Sequence, residues 1–554
     1  MGGRLSLLFG WTRAAGALSV LFVLAACTGD RAGLPSDPAG KLFARGLDEI
    51  IDLYIEPVSS RGLALSGAAR LARLDGKVAV REEAPTPESV SLVISYDGKP
   101  AAALPIPGNA GAHEWGRLLA DTIAAAKHTS PQIAALPSDT VDKAVFDGIT
   151  GNLDRFSRYA SPEVARDHRA ARDGFGGIGV TLEGEDFHIT AVHPQGPADR
   201  AGVKPDDKLV AIDGQSTAGR NQSDVVHQLR GPLNSTLTVT VARPGGGTRD
   251  YRLQRALVIV PTVTMKRDGN VAVFRVASFN QSTTQRLAET LLEAQRQAGG
   301  RLGGIVLDLR SNPGGLLDQA VSLADLFIRE GPIVSTVGRH PASKQYFSAS
   351  GDSIAPRTPV VILINGGSAS AAEIVAAALQ DIGRAVVVGT SSYGKGTVQT
   401  VLRLPNDGEL TLTWARLVTP SGYYIQTHGV VPTLCTADLA DDDRGLAAGL
   451  QRASTVGARP RAGLDERSWA ELRKACPSKQ TSPALDVKLA ERILADPRLY
   501  SDALHAIRPG SQFARDPAPR LEASLPAPSL PTPSLTGSSL TGPGPALSSD
   551  TRVR

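Results

Sequence analysis

Two short runs of consecutive apolar residues, 359–364 and 385–388, stand out from the mixed pattern around them. Uninterrupted runs of this length are typical of strands that are buried on both faces of a sheet. The segment between them has apolar positions at helical spacing, namely Ile374, Val375, Ala378 and Leu379. The pattern therefore predicts a β-α-β unit whose two strands are parallel.

Residues with useful chemistry follow both predicted strands. Ser370 and Glu373 have the spacing of a capping box, which places Ser370 at the start of the helix, and Lys395 follows the second strand. We expect Ser370 and Lys395 to meet, because the carboxyl ends of parallel strands share one sheet edge. A helix N-terminus favours an oxyanion, and a buried lysine with a lowered pKa can serve as the base for a serine. Gln399 is the nearest polar side chain able to orient the amine.

Two motifs in this stretch carry a resemblance to a known family. NGGSASAAEIVAAALQD, which begins at Asn365, and GKGTVQ, which begins at Gly394, closely resemble motifs of the carboxyl-terminal processing, or tail-specific, serine peptidases. The resemblance implies that Ser370 is the nucleophile, that Lys395 is the base and that Gln399 supports the lysine. It also implies a crotonase-like or Clp-protease-like β-α core, and it implies no cofactor.

A rival motif overlaps the second of these segments. Ser392 and Lys395 match S-x-x-K, the signature of penicillin-binding proteins and β-lactamases, in which the serine opens a helix. Here residues 396–401 have the pattern of a strand, and the K-T-G triad that accompanies the signature is missing from the sequence. Labelling by a β-lactam would discriminate this alternative.

A second β-α unit is predicted upstream. Residues 304–309 have the pattern of a buried strand, and a turn with the sequence RSNPGG leads from it into a helix. In the resembled family this turn supplies one oxyanion donor, so the resemblance implies the N–H of Gly314 or Gly315, with the N–H of Ala371 as the other donor. The alternative is a plain tight turn.

Residues 174–257 resemble a PDZ domain. The segment Gly177-Ile178-Gly179-Val180 starts the predicted binding strand, and residues 196–203 and 207–214 are close to the family consensus. Such a domain captures a chain end by adding it as a strand and holding its carboxylate on backbone N–H groups. Ile178 and Val180 lie two apart, so on one strand they would face the same side and line an apolar pocket.

A basic residue near this predicted groove is a candidate for coupling tail binding to the catalytic core. Arg230 lies in the sequence Leu229-Arg230-Gly231, directly after a predicted helix. The alternative is a solvated loop residue.

The whole chain is predicted to be a multidomain α/β protein. Residues 41–54 and 141–159 have helical spacing and resemble the N-terminal elements of the family. The predicted organisation is a signal peptide (1–27), a tether (28–40), a mainly helical region with an insert (41–173), the PDZ domain (174–257), the peptidase core (258–435), a C-terminal helical region (436–508) and a disordered Pro/Ser-rich tail (509–554).

The start of the chain predicts export. A basic beginning and a short apolar segment end in Leu24-Ala25-Ala26-Cys27, which resembles a bacterial lipobox. The resemblance implies that Cys27 is lipidated and anchors a periplasm-facing protein, and the residues after Cys27 favour the outer membrane. The alternative is an ordinary secretory signal that is cleaved near Ala26.

Composition narrows the remaining functions. The chain has 554 residues and a net charge of +4 that is spread along it, which does not indicate nucleic-acid binding. Apart from Cys27, the chain has two cysteines, Cys435 and Cys476. In an oxidising compartment such a pair predicts a disulfide, and the alternative is two unpaired thiols. The nine histidines form no H-E-x-x-H motif, so no zinc site is predicted.

These observations favour a serine endopeptidase that recognises the free apolar C-termini of exported proteins through its PDZ domain. An adaptor and a homo-oligomer stay open as further partners. The competing hypothesis is an inactive PDZ scaffold on a peptidase shell. Loss of Ser370, Lys395 or Gln399 would favour the scaffold, and all three are present.

Overall fold

The structure is a computed structural model that describes residues 37–506, except for 87–88, 107, 109, 441, 457–462 and 480–482. The predicted signal peptide, the Cys27 lipidation site, most of the tether and the Pro/Ser-rich tail lie outside the described residues. Among the helices that are described, none is long and apolar enough to cross a membrane.

The N-terminal part packs helices around a three-stranded antiparallel sheet. Its order along the chain is α1 (Pro38–Leu53), α2 (Ser60–Ala69), β1 (Val78–Thr86), β2 (Ser89–Tyr96), β3 (Lys99–Pro105), α3 (Ala112–Thr129), α4 (Pro131–Ala134) and α5 (Ser138–Thr150). The first predicted helix is confirmed as α1. The predicted insert supplies the sheet and α3, which packs lengthwise on α1.

The second predicted N-terminal helix is shorter than expected. We predicted helix over 141–159, but α5 ends at Thr150 and the chain forms β4 (Arg158–Ala160) and then α6 (Pro162–Asp173). The Asp154 carboxylate accepts the N–H groups of Phe156 and Ser157 at 2.7 and 2.9 Å, which closes a turn in place of another helical turn. This turn places Phe156 and Arg158 beside the peptidase core.

The PDZ-like region is a small sheet with two helices. Its elements are β5 (Phe175–Gly177), β6 (Val180–Glu183), β7 (His188–Val192), α7 (Pro197–Ala201), β8 (Lys208–Ile212), β9 (Gln215–Ser216), α8 (Gln222–Leu229), β10 (Thr236–Arg243), β11 (Gly247–Gln254) and β12 (Ala256–Val258). The main sheet has the order β11-β10-β8-β7-β6, with β9 added to β8, while β5 pairs with β12. Strand β6 is therefore an edge strand.

The predicted peptidase core contains β13 (Val263–Asp268), β14 (Val271–Val276), α9 (Thr283–Gln297), β15 (Gly304–Asp308), α10 (Leu317–Asp325), β16 (Pro332–Val337), β17 (Gln345–Ser348), β18 (Val360–Ile364), α11 (Ala371–Asp381), β19 (Val386–Gly389), β20 (Thr397–Arg403), β21 (Glu409–Val418) and β22 (Leu434–Cys435). It is built on a mostly parallel sheet with the order β13-β14-β15-β18-β19-β22. The predicted β-α-β unit is confirmed, since β18 and β19 pair in parallel on either side of α11. All residues of β15, β18 and β19 are buried, as continuous apolar runs require.

A second, antiparallel sheet lies against this core and leads out of it. It has the order β17-β16-β21-β20, and β4 pairs with the first residues of β21, 409–411. The chain enters it from β19 through residues 390–396, so Lys395 stands at the junction of the two sheets. The predicted strand after Lys395 is confirmed as β20.

The C-terminal region is helical, as predicted. It comprises α12 (Asp443–Val456), α13 (Glu466–Ala475), α14 (Pro483–Ala495) and α15 (Pro497–His505). Apolar residues of α14 cover one face of the parallel sheet in a shared buried cluster. Cys435 and Cys476 form a disulfide, with their Cα atoms 5.8 Å apart, and this bond ties the end of α13 to strand β22.

Candidate active site

Ser370 stands on a strained turn between β18 and α11. Its backbone has φ 55° and ψ −114°, a conformation that residues with a Cβ rarely adopt. Glu373 closes the first turn of α11, since its N–H donates to the Ser370 carbonyl oxygen at 2.8 Å and its carboxylate accepts the Ser370 N–H at 2.7 Å. This strand-turn-helix geometry presents the Ser370 hydroxyl at the end of the strand.

Two backbone N–H groups beside Ser370 suit an oxyanion. Ala371 and Gly315 both line the cavity that Ser370 lines, and neither N–H has an acceptor within the described chain. The bridge between Phe279 and Gly315 uses the groups on either side of Gly315, because Leu316 N–H donates to the Phe279 carbonyl oxygen and Phe279 N–H donates to that of Gly314. The Gly315 N–H is thereby left facing away from Phe279.

Gly314 is not an oxyanion donor, which corrects one of the two options. Its N–H donates to Asn312 Oδ1 at 2.8 Å. Its role is steric, because a Cβ at this position would lie 2.9 Å from the Ser370 Cβ and 2.8 Å from the Ala369 carbonyl oxygen. Glycine at 314 therefore lets the turn after β15 pack directly against the serine.

Lys395 opens into the same cavity as Ser370. The cavity has a volume of about 360 Å³, and Lys395, Ser370 and Gln399 all line it. Lys395 Nζ lies 5.1 Å from the centroid of the Phe156 ring and makes no hydrogen bond to Ser370 within the described residues. Catalytic hydrogen bonds are often long without substrate and shorten in the complex, so this arrangement is compatible with a dyad.

The environment of Lys395 favours the neutral amine. Burial is the main cause that lowers its pKa below the ordinary lysine value, and the Arg158 guanidinium acts in the same direction. Glu373 and Asp154 act in the opposite direction but do not reverse the shift. A lysine with a lowered pKa holds a free amine at lower pH, as a general base requires.

Gln399 lines the cavity, but in the part of the chain that the structure describes it makes no hydrogen bond to the lysine amine. Its side-chain amide donates to the hydroxyls of Thr397 and Thr413 at 2.9 and 3.2 Å. These two bonds fix the amide plane and leave its oxygen without a donor in the described part of the chain. The predicted role of orienting Lys395 stays a prediction.

Glu373 is the main site residue that sequence reasoning undervalued. We interpreted it only as part of a helix cap, yet its fully buried carboxylate accepts four hydrogen bonds. Oε2 receives the N–H groups of Ser370 at 2.7 Å and Lys395 at 2.9 Å, while Oε1 receives Gly394 N–H at 2.7 Å and the Ser392 hydroxyl. One carboxylate thus joins the loop that carries the serine to the loop that carries the lysine.

The pKa of Glu373 is raised above its ordinary value by the larger of two opposed effects. Burial raises the pKa of Glu373 above its ordinary value, whereas the four hydrogen-bond donors lower it. The signal available in the sequence was its capping spacing alone, because its other partners lie about twenty residues further along the chain.

The Ser392 alternative does not fit the structure. Ser392 is fully buried, its hydroxyl donates to Glu373, and it also accepts the Val430 N–H at 2.7 Å. Ser392 lies in a loop and not at a helix N-terminus. Its hydroxyl is a structural tie between loops, so the S-x-x-K match carries no nucleophile.

The wall of the cavity combines apolar and cationic side chains. The apolar part comes from both sheets and both helices beside Ser370 and includes Leu316, Leu317, Ile374, Val398 and Leu417. Arg158, His168 and Arg172 line the side formed by β4 and α6. Arg172 is paired with the buried Glu409 at 2.7 Å, which holds α6 against the core.

The predicted tail-binding loop of the PDZ-like region differs from expectation in one respect. Ile178 and Val180 do not share a strand, because β5 ends at Gly177, β6 begins at Val180 and Gly179 between them has φ 78°. Ile178 is only 4% exposed and belongs to the core of the region, and Val180 packs against the same core. The prediction that both side chains line a pocket from one strand is therefore wrong.

The backbone of this loop nevertheless suits a carboxylate. The N–H groups of Ile178 and Gly179 have no acceptor in the described residues, and β6 leaves one edge of the sheet open. Helix α8 lies alongside, since Gln222 Nε2 donates to the Leu182 carbonyl oxygen at 3.0 Å. An edge strand next to a helix is the arrangement that accepts an added peptide strand.

Arg230 is not a solvated loop residue. Its guanidinium donates to the Asp167 carboxylate of α6 at 2.7 Å and lies 4.3 Å from the centroid of the Phe175 ring. It therefore joins the PDZ-like region to the helix that lines the cavity.

Among the described side chains no cluster could hold a metal ion.

Comparison with known proteins identifies the chain. The profile of peptidase family S41 matches residues 270–435, and a PDZ domain profile matches residues 188–243. A carboxy-terminal-processing protease from Bartonella bacilliformis is 39% identical over 310 residues, which cover 55% of this chain and 71% of that protein. The chain belongs to peptidase family S41. A probable CtpA-like serine protease from Staphylococcus aureus is 35% identical over 331 residues, which cover 56% of this chain and 66% of the relative.

Solved structures of S41-type proteins are also similar. The photosystem II D1 C-terminal processing protease is 25% identical, with a TM-score of 0.36, over 72% of this chain and 92% of that one. The family and PDZ matches confirm the prediction of a serine peptidase of the carboxyl-terminal processing class with a PDZ domain, and the described helices and strands agree with the predicted mixed α/β fold. The chain is a serine peptidase of family S41, and it keeps Ser370, Lys395 and Gln399, the residues whose loss would favour the inactive scaffold.

Proposed function

We propose that this S41 peptidase cleaves exported proteins with Ser370 as the nucleophile and Lys395 as the general base. The observation that carries the proposal is that Ser370, Lys395, Gly315 and Ala371 line one cavity, and that the N–H groups of Gly315 and Ala371 have no acceptor among the described residues. These are the groups that acyl transfer needs: a nucleophile, a base and two oxyanion donors.

The steps follow from the positions of these groups. The neutral Lys395 amine takes the hydroxyl proton as Ser370 Oγ attacks the peptide carbonyl, and the oxyanion receives the N–H groups of Gly315 and Ala371. The tetrahedral species collapses to an acyl-enzyme, and the ammonium of Lys395 returns the proton to the leaving amine. Water then attacks the ester with Lys395 again as base, which frees the new C-terminus and restores Ser370.

The base must be neutral to accept the proton, so the pH dependence has a definite sign. Activity rises as pH increases through the pKa of Lys395, and the lowered pKa puts this rise at lower pH than an exposed lysine would. The proposed role of Gln399 is to accept a hydrogen bond from the amine through its free oxygen once substrate closes the site.

Substrate choice is proposed to rest on the PDZ domain. A free apolar C-terminus adds as a strand to the open edge of β6, and the N–H groups of Ile178 and Gly179 hold its carboxylate. Occupancy of this groove is relayed through the Arg230–Asp167 pair to α6, which carries His168 and Arg172 at the cavity wall.

Amidating the C-terminus of a peptide substrate tests this recognition. Amidation removes the charge and leaves every side-chain contact, so we expect apparent KM to rise about tenfold or more, the size of a lost hydrogen bond to a charged group. Initial rates of paired free-acid and amidated peptides measure the effect, and Ser370→Ala gives the background. Acetylating the N-terminus is the control, since it removes a charge at the other end. Equal cleavage of the free-acid and amidated peptides would show that the carboxylate is not recognised.

We also propose that the mature enzyme is a periplasm-facing lipoprotein anchored through Cys27, with the outer membrane favoured. A lipobox cysteine that carries several acyl chains gives stable anchoring.

Cys27→Ser is expected to release the protein from membranes or to block its processing, because the modified side chain is lost. Fractionation of cells and the mass of the mature chain measure both effects. Thr28→Ser is the matched control, since it changes the next residue and keeps the cysteine. A Cys27→Ser protein that is processed and membrane-bound like wild type would refute the anchor.

A further inference from the structure

The loop that carries Lys395 is held from two sides. Glu373 binds it from the side of the nucleophile, through the N–H groups of Gly394 and Lys395 and the hydroxyl of Ser392. On the other side lies helix α13 of the C-terminal region, whose Arg473 donates to the Ser392 carbonyl oxygen at 3.3 and 3.4 Å. Ser392 is thus bound by its hydroxyl to the site and by its carbonyl to α13.

The end of α13 makes further contacts with the same loop. The Cys476 carbonyl oxygen accepts the Ser391 hydroxyl at 2.6 Å, and the Ser478 carbonyl oxygen accepts the Thr390 hydroxyl at 3.3 Å. The Cys435–Cys476 disulfide attaches this segment to β22, which pairs with β19, the strand that leads into the loop. The segment is therefore fixed to the sheet immediately beside residues 390–392.

The middle of α13 is anchored as well. Trp469 is 2% exposed and stacks on His428 with ring centroids 4.6 Å apart. Arg473 donates to the His428 carbonyl oxygen at 2.6 Å, so its guanidinium bridges the lysine loop and the segment that contains His428. Both carbonyl groups would lose their donor if the guanidinium were removed, at a cost typical of buried unsatisfied groups.

We propose that α13, fastened by the Cys435–Cys476 disulfide, positions the loop that carries Lys395 through the guanidinium of Arg473. This inference rests on the proposed role of Lys395 as the base. A continuous set of hydrogen bonds runs from Arg473 through Ser392 and Glu373 to the N–H groups of Lys395 and Ser370. Arg473 is a positioning residue, because it does not line the cavity.

Loosening the loop has a consequence for the amine. Burial is the main cause that lowers the pKa of the Lys395 amine, so a loop that admits water lets this pKa rise toward the ordinary lysine value. The charged and titratable groups that face or share its cavity come from the other elements and stay in place: Asp154, Arg158, His168, Arg172 and Glu373. The expected signature is an alkaline shift of the rising limb of the rate profile.

The test compares Arg473→Met with Arg467→Met in the full-length enzyme. Arg467 lies on the same helix with a side chain that is 88% exposed, so its replacement is the matched control. Hydrogen exchange over residues 391–396 measures how ordered the loop is. The values of kcat and KM and their pH profiles measure whether Lys395 still acts as the base. For Arg473→Met we expect faster hydrogen exchange in this loop and a kcat lower by about 10²-fold, as for a misplaced catalytic group. We expect little change in KM, and a shift of the rising limb of the kcat–pH profile to higher pH.

Two further variants keep the inference falsifiable if Arg473→Met folds poorly. Arg473→Lys keeps the charge but loses the planar fork, and we expect a smaller effect in the same direction. The double variant Cys435→Ser/Cys476→Ser keeps Arg473 but removes the disulfide that fastens α13 to β22. We expect it to show the same faster exchange and the same alkaline shift of the rate profile. Thermal unfolding identifies any variant whose fold is lost.

The outcomes separate this inference from the proposed mechanism. Unchanged exchange in Arg473→Met overturns the positioning role, whatever the activity. Faster exchange with unchanged kcat and pH profile also overturns it. If Lys395→Ala enzyme keeps wild-type turnover, the proposed mechanism is wrong instead, and the inference loses its basis with it.

Discussion

Replacement of Lys395 by alanine should abolish peptide cleavage and leave the fold intact. General-base assistance is typically worth about 10²–10⁴-fold, and Lys395 is also the group that activates the nucleophile. Within the described residues the other titratable base that lines the cavity is His168, on the α6 side. The pKa of His168 is lowered, chiefly by burial, so its imidazole is a weaker base than that of an ordinary histidine. We therefore expect a loss of at least about 10²-fold in kcat/KM, measured with a peptide ending in a free apolar C-terminus.

A second substitution sharpens the test. Lys395→Arg keeps a positive charge and much of the length, but a guanidinium does not give up its proton, so it should be as inactive as alanine. Lys266→Ala is the control, because Lys266 is an exposed lysine on β13 of the same core. Near-normal turnover of well-folded Lys395→Ala or Lys395→Arg enzyme would remove Lys395 from the mechanism.

Glu373→Gln should cost activity and stability together. The carboxylate accepts hydrogen bonds on both oxygens, whereas an amide of the same shape places an NH₂ against N–H groups on one side. We expect unfolding free energy to fall by about 1–3 kcal/mol, the cost of buried donors left unsatisfied. We expect kcat to fall by about 10²-fold, because Ser370 and Lys395 lose their common anchor.

Denaturant unfolding and steady-state kinetics measure these two effects. Glu293→Gln, on the exposed side of α9, is the matched control and should change neither. If Glu373→Gln keeps wild-type kcat, the carboxylate serves the fold alone and its place in the site is incidental. If stability is unchanged while kcat falls, the carboxylate acts on the chemistry and not through the two loops.

The arrangement of Ser370 and Lys395 was predictable because it depends on local patterns. Continuous apolar runs predict buried parallel strands, and parallel strands bring their following loops to one sheet edge. The structure places both residues in one cavity accordingly. What the pattern could not give is the approach of the two side chains, which depends on the strained backbone at Ser370 and on the packing of Phe156 over the amine.

Three predictions failed or were incomplete because they depend on geometry that a hydrophobic pattern does not show. The choice between Gly314 and Gly315 depends on which N–H a neighbouring side chain uses, and Asn312 takes that of Gly314. The contacts of Ile178 depend on a left-handed glycine that breaks the strand alternation. The full role of Glu373 depends on partners across the fold. The first two are decided by local backbone and side-chain geometry and the third by tertiary contacts, and hydrophobic periodicity records neither.

The C-terminal region shows the same limit. Its helices and the Cys435–Cys476 pair were predictable from spacing and from the cysteine count, but nothing in the sequence connects Arg473 with Ser392, which lies 81 residues before it. The contact appears only because the disulfide-fastened helix and the lysine loop pack on the same side of the core.

Covalent labelling of the nucleophile tests the central claim most directly. A serine-reactive fluorophosphonate probe should add once to the wild-type enzyme, and peptide mass mapping should place the adduct on Ser370. The labelling rate should rise with pH as Lys395 loses its proton, and it should be lost in Lys395→Arg and in Ser370→Ala. An adduct on another serine, such as Ser392, or full peptidase activity in Ser370→Ala, would contradict the account.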